Sequence, residues 1–179
     1  HGGVAPKIGQ WVVDETYLAL IQKHVGLETP WLKAARELAG QGLLEEALFA
    51  VNEALEKDGE ELEALEVKAF LLNDLGRAPE AVEAFDQLLA RQPDHLQALL
   101  GKGCALLGLE RHTDSLAVFD AVLAQDPHHK EAQIYKGMAL YILGRGEEAL
   151  ELPAFQEEFT SRFQAELEKL AKDHKGQKS

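Results

Sequence analysis

The chain has 179 residues, with 31 acidic against 18 basic side chains and a net charge of −13. Leu, Ala and Glu supply 30, 25 and 22 residues, against 17 for Val, Ile and Thr together, a balance that favours helix and argues against a large sheet. No basic stripe exists to neutralise phosphates, so no nucleic-acid partner is expected. No apolar run approaches the roughly 20 residues of a membrane-spanning helix.

The chain opens His1-Gly2-Gly3 without Met, so residues 1–13 read as a tag remnant or an extended N-terminal segment. Residues 14–27 are expected to form an N-terminal helix, capped by Asp14 and stopped at Gly26. The lone cysteine, Cys104, precludes an internal disulfide and suits a reducing compartment. A cytoplasmic location is expected on that ground, with the periplasm left open by the missing Met.

From residue 28 the sequence resembles itself every 34 residues. In registers starting at Glu28, Leu62, Leu96 and Lys130, the eighth position reads Ala35, Ala69, Gly103, Gly137, and the twentieth reads Ala47, Ala81, Ser115, Ala149. The fifteenth reads Gly42, Gly76, Glu110, Gly144, and the thirty-second reads Gly59, Pro93, Pro127, Ser161. Small residues at positions eight and twenty let two antiparallel helices approach closely. Glycine at position fifteen tolerates the left-handed conformation common at helix ends, and Pro near position thirty-two ends the second helix. Each unit is thus a helix–turn–helix hairpin, and such hairpins must stack to cover their apolar faces.

With Trp31, Ala54, Phe85 and Phe119 also at their motif positions, the pattern resembles the tetratricopeptide repeat (TPR) family over residues 28 to about 152. The resemblance implies an all-α, right-handed α-helical solenoid of stacked hairpins. Its repeats would span 28–61, 62–95, 96–129 and, incompletely, 130–152. The fourth is incomplete because Pro153 stands where its second helix should carry an aromatic residue. Pro153 should cut that helix short and separate it from the terminal segment. There Phe155, Phe159, Phe163, Leu167 and Leu170 form one apolar stripe. The segment 153–173 is therefore read as a C-terminal solvating helix that covers the end of the stack, and 174–179 as a disordered tail.

No catalytic constellation stands out. The carboxylates lie at helical spacing on outer faces, where solvation explains them. His95 and His129 are equivalent positions in adjacent repeats, so they should sit about 8–10 Å apart, whereas zinc ligands converge to about 2 Å from one ion. They read as turn residues beside helix starts. Neither a metal nor a cofactor is expected, and the chain is expected not to be an enzyme. Cys104 has no His–Asp pair at a telling spacing and reads as a small apolar residue.

On a helical wheel, positions four, seven, eight and eleven of each first helix face the second helix. The opposite arc lines the concave groove in the family that the chain resembles. Candidate partner-binding residues on that arc are Arg36 in the first repeat and Phe70 and Asn73 in the second. The third gives Leu100, Cys104 and Leu107, and the fourth gives Ile134, Tyr135, Met138, Tyr141 and Ile142. The groove thus begins polar and ends apolar. The Lys, Asn and Arg clamp with which the family's chaperone-tail binders hold a terminal carboxylate has no match, since Leu32, Arg36, Val67, Gln97 and Gly101 occupy its positions.

These readings point to a non-enzymatic protein–protein interaction module that binds a peptide or amphipathic helix of a partner. One alternative is self-association into a homo-oligomer through the groove or the terminal segments. Another is a small acidic export chaperone.

Overall fold

A computed structural model describes residues 31–57 and 61–163, and these residues contain helices and turns with no strand. In chain order the helices are α1 (Trp31–Gly40), α2 (Leu44–Lys57), α3 (Glu61–Asp74), α4 (Ala78–Arg91), α5 (Leu96–Gly108), α6 (His112–Gln125), α7 (Lys130–Ile142) and α8 (Gly146–Leu150). A further helix, α9, is described over 153–163. The expected N-terminal helix, the turn at Gly59, and Leu167 and Leu170 of the terminal stripe lie outside the described residues. The chain divides at Gly76–Arg77 into two compact units.

In the first unit α1 packs on α2, α2 on α3, and α1 on α3. Ala35 and Ala47, the small residues of positions eight and twenty, are fully buried, with Leu38 and Val51 beside them. Trp31 meets Phe49 edge-on, ring centroids 6.2 Å apart. In the second unit α4 to α8 pack in sequence order, and α5 also touches α7. Ser115 replaces Ala at position twenty; it is fully buried and satisfies its hydroxyl by donating to the His112 carbonyl at 2.7 Å.

The turn at position fifteen obeys one rule throughout. Gly42, Gly76 and Gly144 adopt φ of 78°, 71° and 76°. Glu110 adopts the same left-handed conformation, φ 59°, without being glycine. Its N–H donates to the Leu107 carbonyl and that of Arg111 to the Leu106 carbonyl, both at 2.9 Å. This is the Schellman pairing, which satisfies the last carbonyls of α5. An L-residue in that region costs about 1–2 kcal/mol. Glu110 is exposed, so Glu110→Gly should stabilise the second unit by about 0.5–1 kcal/mol after the extra chain entropy of glycine. A chemical-denaturation midpoint measures this, and a loss of stability would refute it.

Aromatic rings fill the space left by small residues on facing helices. An added Cβ would lie 2.4 Å from the Phe85 ring at Gly101 and 2.5 Å from the Phe119 ring at Gly103. Salt bridges repeat with the same period. Arg77–Glu80, Arg111–Asp114 and Arg145–Glu148 mark the starts of α4, α6 and α8, while Lys102–Asp86 and Lys136–Asp120 join adjacent hairpins at 2.6 Å. His95 and His129 are N-caps: their Nδ1 atoms accept from the Ala98 and Ala132 N–H groups at 3.2 and 3.3 Å.

The period breaks at Pro153. Helix α8 stops at Leu150, and helix resumes at residue 153 with proline in its first turn, where a missing N–H costs nothing. The Ala154 N–H donates to the side-chain carbonyl of buried Gln133 at 3.0 Å, and the amide nitrogen of Gln133 donates to the Pro127 carbonyl at 2.8 Å. Gln133 therefore ties the start of α9 to the turn before α7. Phe155, two residues past the expected aromatic position, is buried against Gly137, where an added Cβ would lie 2.2 Å from its ring. It occupies the slot that Phe119 fills one repeat earlier.

Candidate partner-binding cleft

The candidate residues fall into three groups. Arg36, Phe70 and Asn73 belong to the first unit. Arg36 is exposed and pairs with Glu63 of α3, while Phe70 and Asn73 are half-buried.

Leu100, Cys104, Leu107 and Tyr135 gather where α5 meets α7 in the second unit. Leu100 corrects the expectation that it points away from its hairpin. It is only 7% exposed and belongs to a core cluster with Phe119, Val122 and Ala132. A helical wheel drawn on the first helix alone omits what packs beside it: Phe119 and Val122 of the same hairpin share the cluster with Leu100, and Ala132 and Tyr135 of the next repeat complete it. Cys104 and Leu107 pack half-buried against the same cluster, and the Tyr135 ring stacks on Phe119 with centroids 6.0 Å apart. Loss of solvent, and secondarily the negative charge of Glu131, push the Cys104 thiol up to about 11.

This thiol therefore stays protonated at neutral pH and is a poor nucleophile. With an ordinary value of 9.0 and a folded value of about 11, roughly a hundredfold less thiolate forms in the folded chain near pH 8. Iodoacetamide should alkylate Cys104 far more slowly in the native protein than in concentrated guanidinium chloride, and equal rates would refute the burial. Because folding raises this pKa, the associated stability is fully present below pH 9.0 and is lost as pH climbs towards about 11.

Ile134, Met138, Tyr141 and Ile142 form the third group, and these four converge. Together with Phe155, Glu158, Phe159 and Arg162 of α9 they line a cleft of about 270 Å³. One wall is the α7 stripe at i, i+4, i+7 and i+8, and the other is the α9 face at i, i+3, i+4 and i+7. Met138, Tyr141 and Ile142 are 42%, 55% and 57% exposed. The Tyr141 and Phe159 rings lie 5.6 Å apart and those of Phe155 and Phe159 5.8 Å. Glu158 and Arg162 pair with each other at 2.6 Å along the α9 wall. Sequence reasoning missed this second wall. Its signal was Pro153 followed by an aromatic two residues late, which moves the slot-filling ring onto a new helix and sets the next turn beside α7.

Stacked helix hairpins with an apolar cleft between two helices define a class: an all-α repeat solenoid serving as a protein–protein interaction or scaffold module. The chain belongs to the tetratricopeptide repeat family, whose model matches residues 32–95, 71–128 and 100–154. Solved structures agree in fold. MamA of strain AMB-1 is 16% identical, with a TM-score of 0.65 over 79% of this chain and 80% of its own. A double mutant of MamA from strain RS-1 is 28% identical, with a TM-score of 0.61 over 69% and 73%. A thermophilic TPR protein of Thermus thermophilus is 22% identical, with a TM-score of 0.58 over 74% and 81%. No curated protein matches the chain. Tetratricopeptide repeats bind protein partners and are typically non-enzymatic. No helix among the described residues is long and apolar enough to cross a membrane.

Proposed function

We propose that the chain holds a peptide or amphipathic helix of another protein, with the α7–α9 cleft as its main seat. The observation that carries this reading is the two-walled apolar cleft whose α7 side leaves Met138, Tyr141 and Ile142 largely exposed. Large exposed apolar side chains gathered in a concave site are characteristic of partner binding. Burying Met138, Tyr141, Ile142 and Phe159 would contribute roughly 1.5–3 kcal/mol each before the cost of association. Cys104, Leu107, Ile134 and Tyr135 would extend the contact towards α5. Arg36, Phe70 and Asn73 would supply a separate, more polar contact in the first unit.

The test is a pull-down with the immobilised chain, read by mass spectrometry, with a Met138→Ser chain as the matched bait. A partner retained by the native chain and depleted on the variant supports the reading, whereas a partner retained equally by both places binding elsewhere. Light scattering on the purified chain separates the alternative. A tight oligomer that dissociates in the Met138→Ser variant would mean that a second copy occupies the cleft.

A further inference from the structure

We infer that the occupant of the α7–α9 cleft is an amphipathic helix that carries a basic residue about two turns from its apolar anchors. This rests on the interaction reading above and adds the chemistry of the partner. The cleft is small, about 270 Å³, and lined mainly by apolar side chains. It suits one or two bulky apolar groups delivered from a helix at i and i+4.

The charge around the cleft supplies the second requirement. On its walls Glu158 and Arg162 cancel each other. Lys136 and Arg145, which line a separate pocket, are engaged by Asp120 and Glu148. After Lys130, itself exposed and unpaired, α7 carries a single carboxylate, Glu131, exposed and without an ion-pair partner among the described residues. It heads the same α7 stripe that continues through Ile134, Tyr135 and Met138. Burial raises the Cys104 thiol and the field of Glu131 adds a smaller part; the Tyr135 hydroxyl is raised by Cys104 and by burial, with Glu131 again the smaller contribution. Seven residues of helix separate Glu131 from Met138, or about 10.5 Å at 1.5 Å per residue. A helix lying along α7 with its anchors in the cleft would carry a residue past Glu131 about seven positions away. A Lys or Arg there gains an attraction; an Asp or Glu meets repulsion.

The experiment uses the whole chain and two fluorescein-labelled helical peptides. Both place Leu and Phe at i and i+4, and they differ only in Lys or Glu on the same face seven residues further on. In fluorescence anisotropy at low salt the Lys peptide should bind about tenfold more tightly, and added salt should narrow the gap. Glu131→Lys should reverse the preference, and Met138→Glu should weaken both peptides. Equal affinities for the native chain, or a preference unchanged by Glu131→Lys, would overturn the inference. If Met138→Glu still weakened both peptides in that case, the interaction reading would stand. Failure of both peptides to saturate the native chain would overturn the two together.

Discussion

Phe155→Ala should destabilise the second unit by about 3–5 kcal/mol, the range for removing a buried aromatic side chain. The side chain is only 5% exposed and sits in a cluster with Leu116, Ala139, Leu140 and Ala149. It also helps to fasten α9 to α7, because its ring lies on the bare backbone of Gly137. Gly137→Ala attacks the same contact from the other side, with a Cβ that would lie 2.2 Å from the ring, and should cost about 1–3 kcal/mol through overpacking. The two changes meet in one slot, so their effects should be strongly non-additive in a double-mutant cycle. Equilibrium unfolding followed by circular dichroism measures all three variants. A loss below about 1 kcal/mol for Phe155→Ala would show that the ring does not carry the end of the unit.

Met138→Glu combined with Tyr141→Glu should do the reverse: ligand binding falls at least about a hundredfold while the fold survives. Two central apolar anchors at about 1.5–3 kcal/mol each support that magnitude. Both side chains are already more than two-fifths exposed, so solvation of the new carboxylates is cheap. The main structural loss is the Tyr141–Phe159 ring contact, worth about 0.5–1.5 kcal/mol. Titration with a captured partner, set beside the thermal unfolding curve, separates binding from stability. If the pair unfolds the unit, these residues are core and the cleft is not a docking site.

The hairpin architecture was legible because its determinants are local and recur. Position fifteen needs a left-handed residue, positions eight and twenty need small ones, and each repeat repeats the demand. The candidate site was legible only in part. Tyr141 and Ile142 could be placed on an outward arc from helical periodicity alone. Leu100 could not, because its cluster joins Phe119 and Val122 of its own hairpin to Ala132 of the next repeat. The α9 wall was hidden for a different reason. Reading Pro153 as the end of a helix is sound local chemistry, but only packing shows that Phe155 takes over the missing aromatic position. The His95 and His129 rings illustrate a third case. Their place beside helix starts follows from sequence, whereas the use of Nδ1 as the capping acceptor depends on a ring rotamer.

The ordering of contacts along the chain bears on how the protein reaches its native state. Among the described helices, those that pack together are sequence neighbours, or next but one as with α1 and α3 or α5 and α7. Closing such short loops forfeits little chain entropy, so the search for the native topology is brief and folding should be fast for a chain of this length. No single nucleus is required, since any hairpin can form first and recruit its neighbour. The junction at Pro153 is the exception. The five-residue α8 has little helix of its own to propagate from, and the Phe155 slot exists only after α7 is in place. Amide hydrogen exchange should therefore find residues 146–163 opening before the α5–α7 core, so that the cleft closes last and opens first.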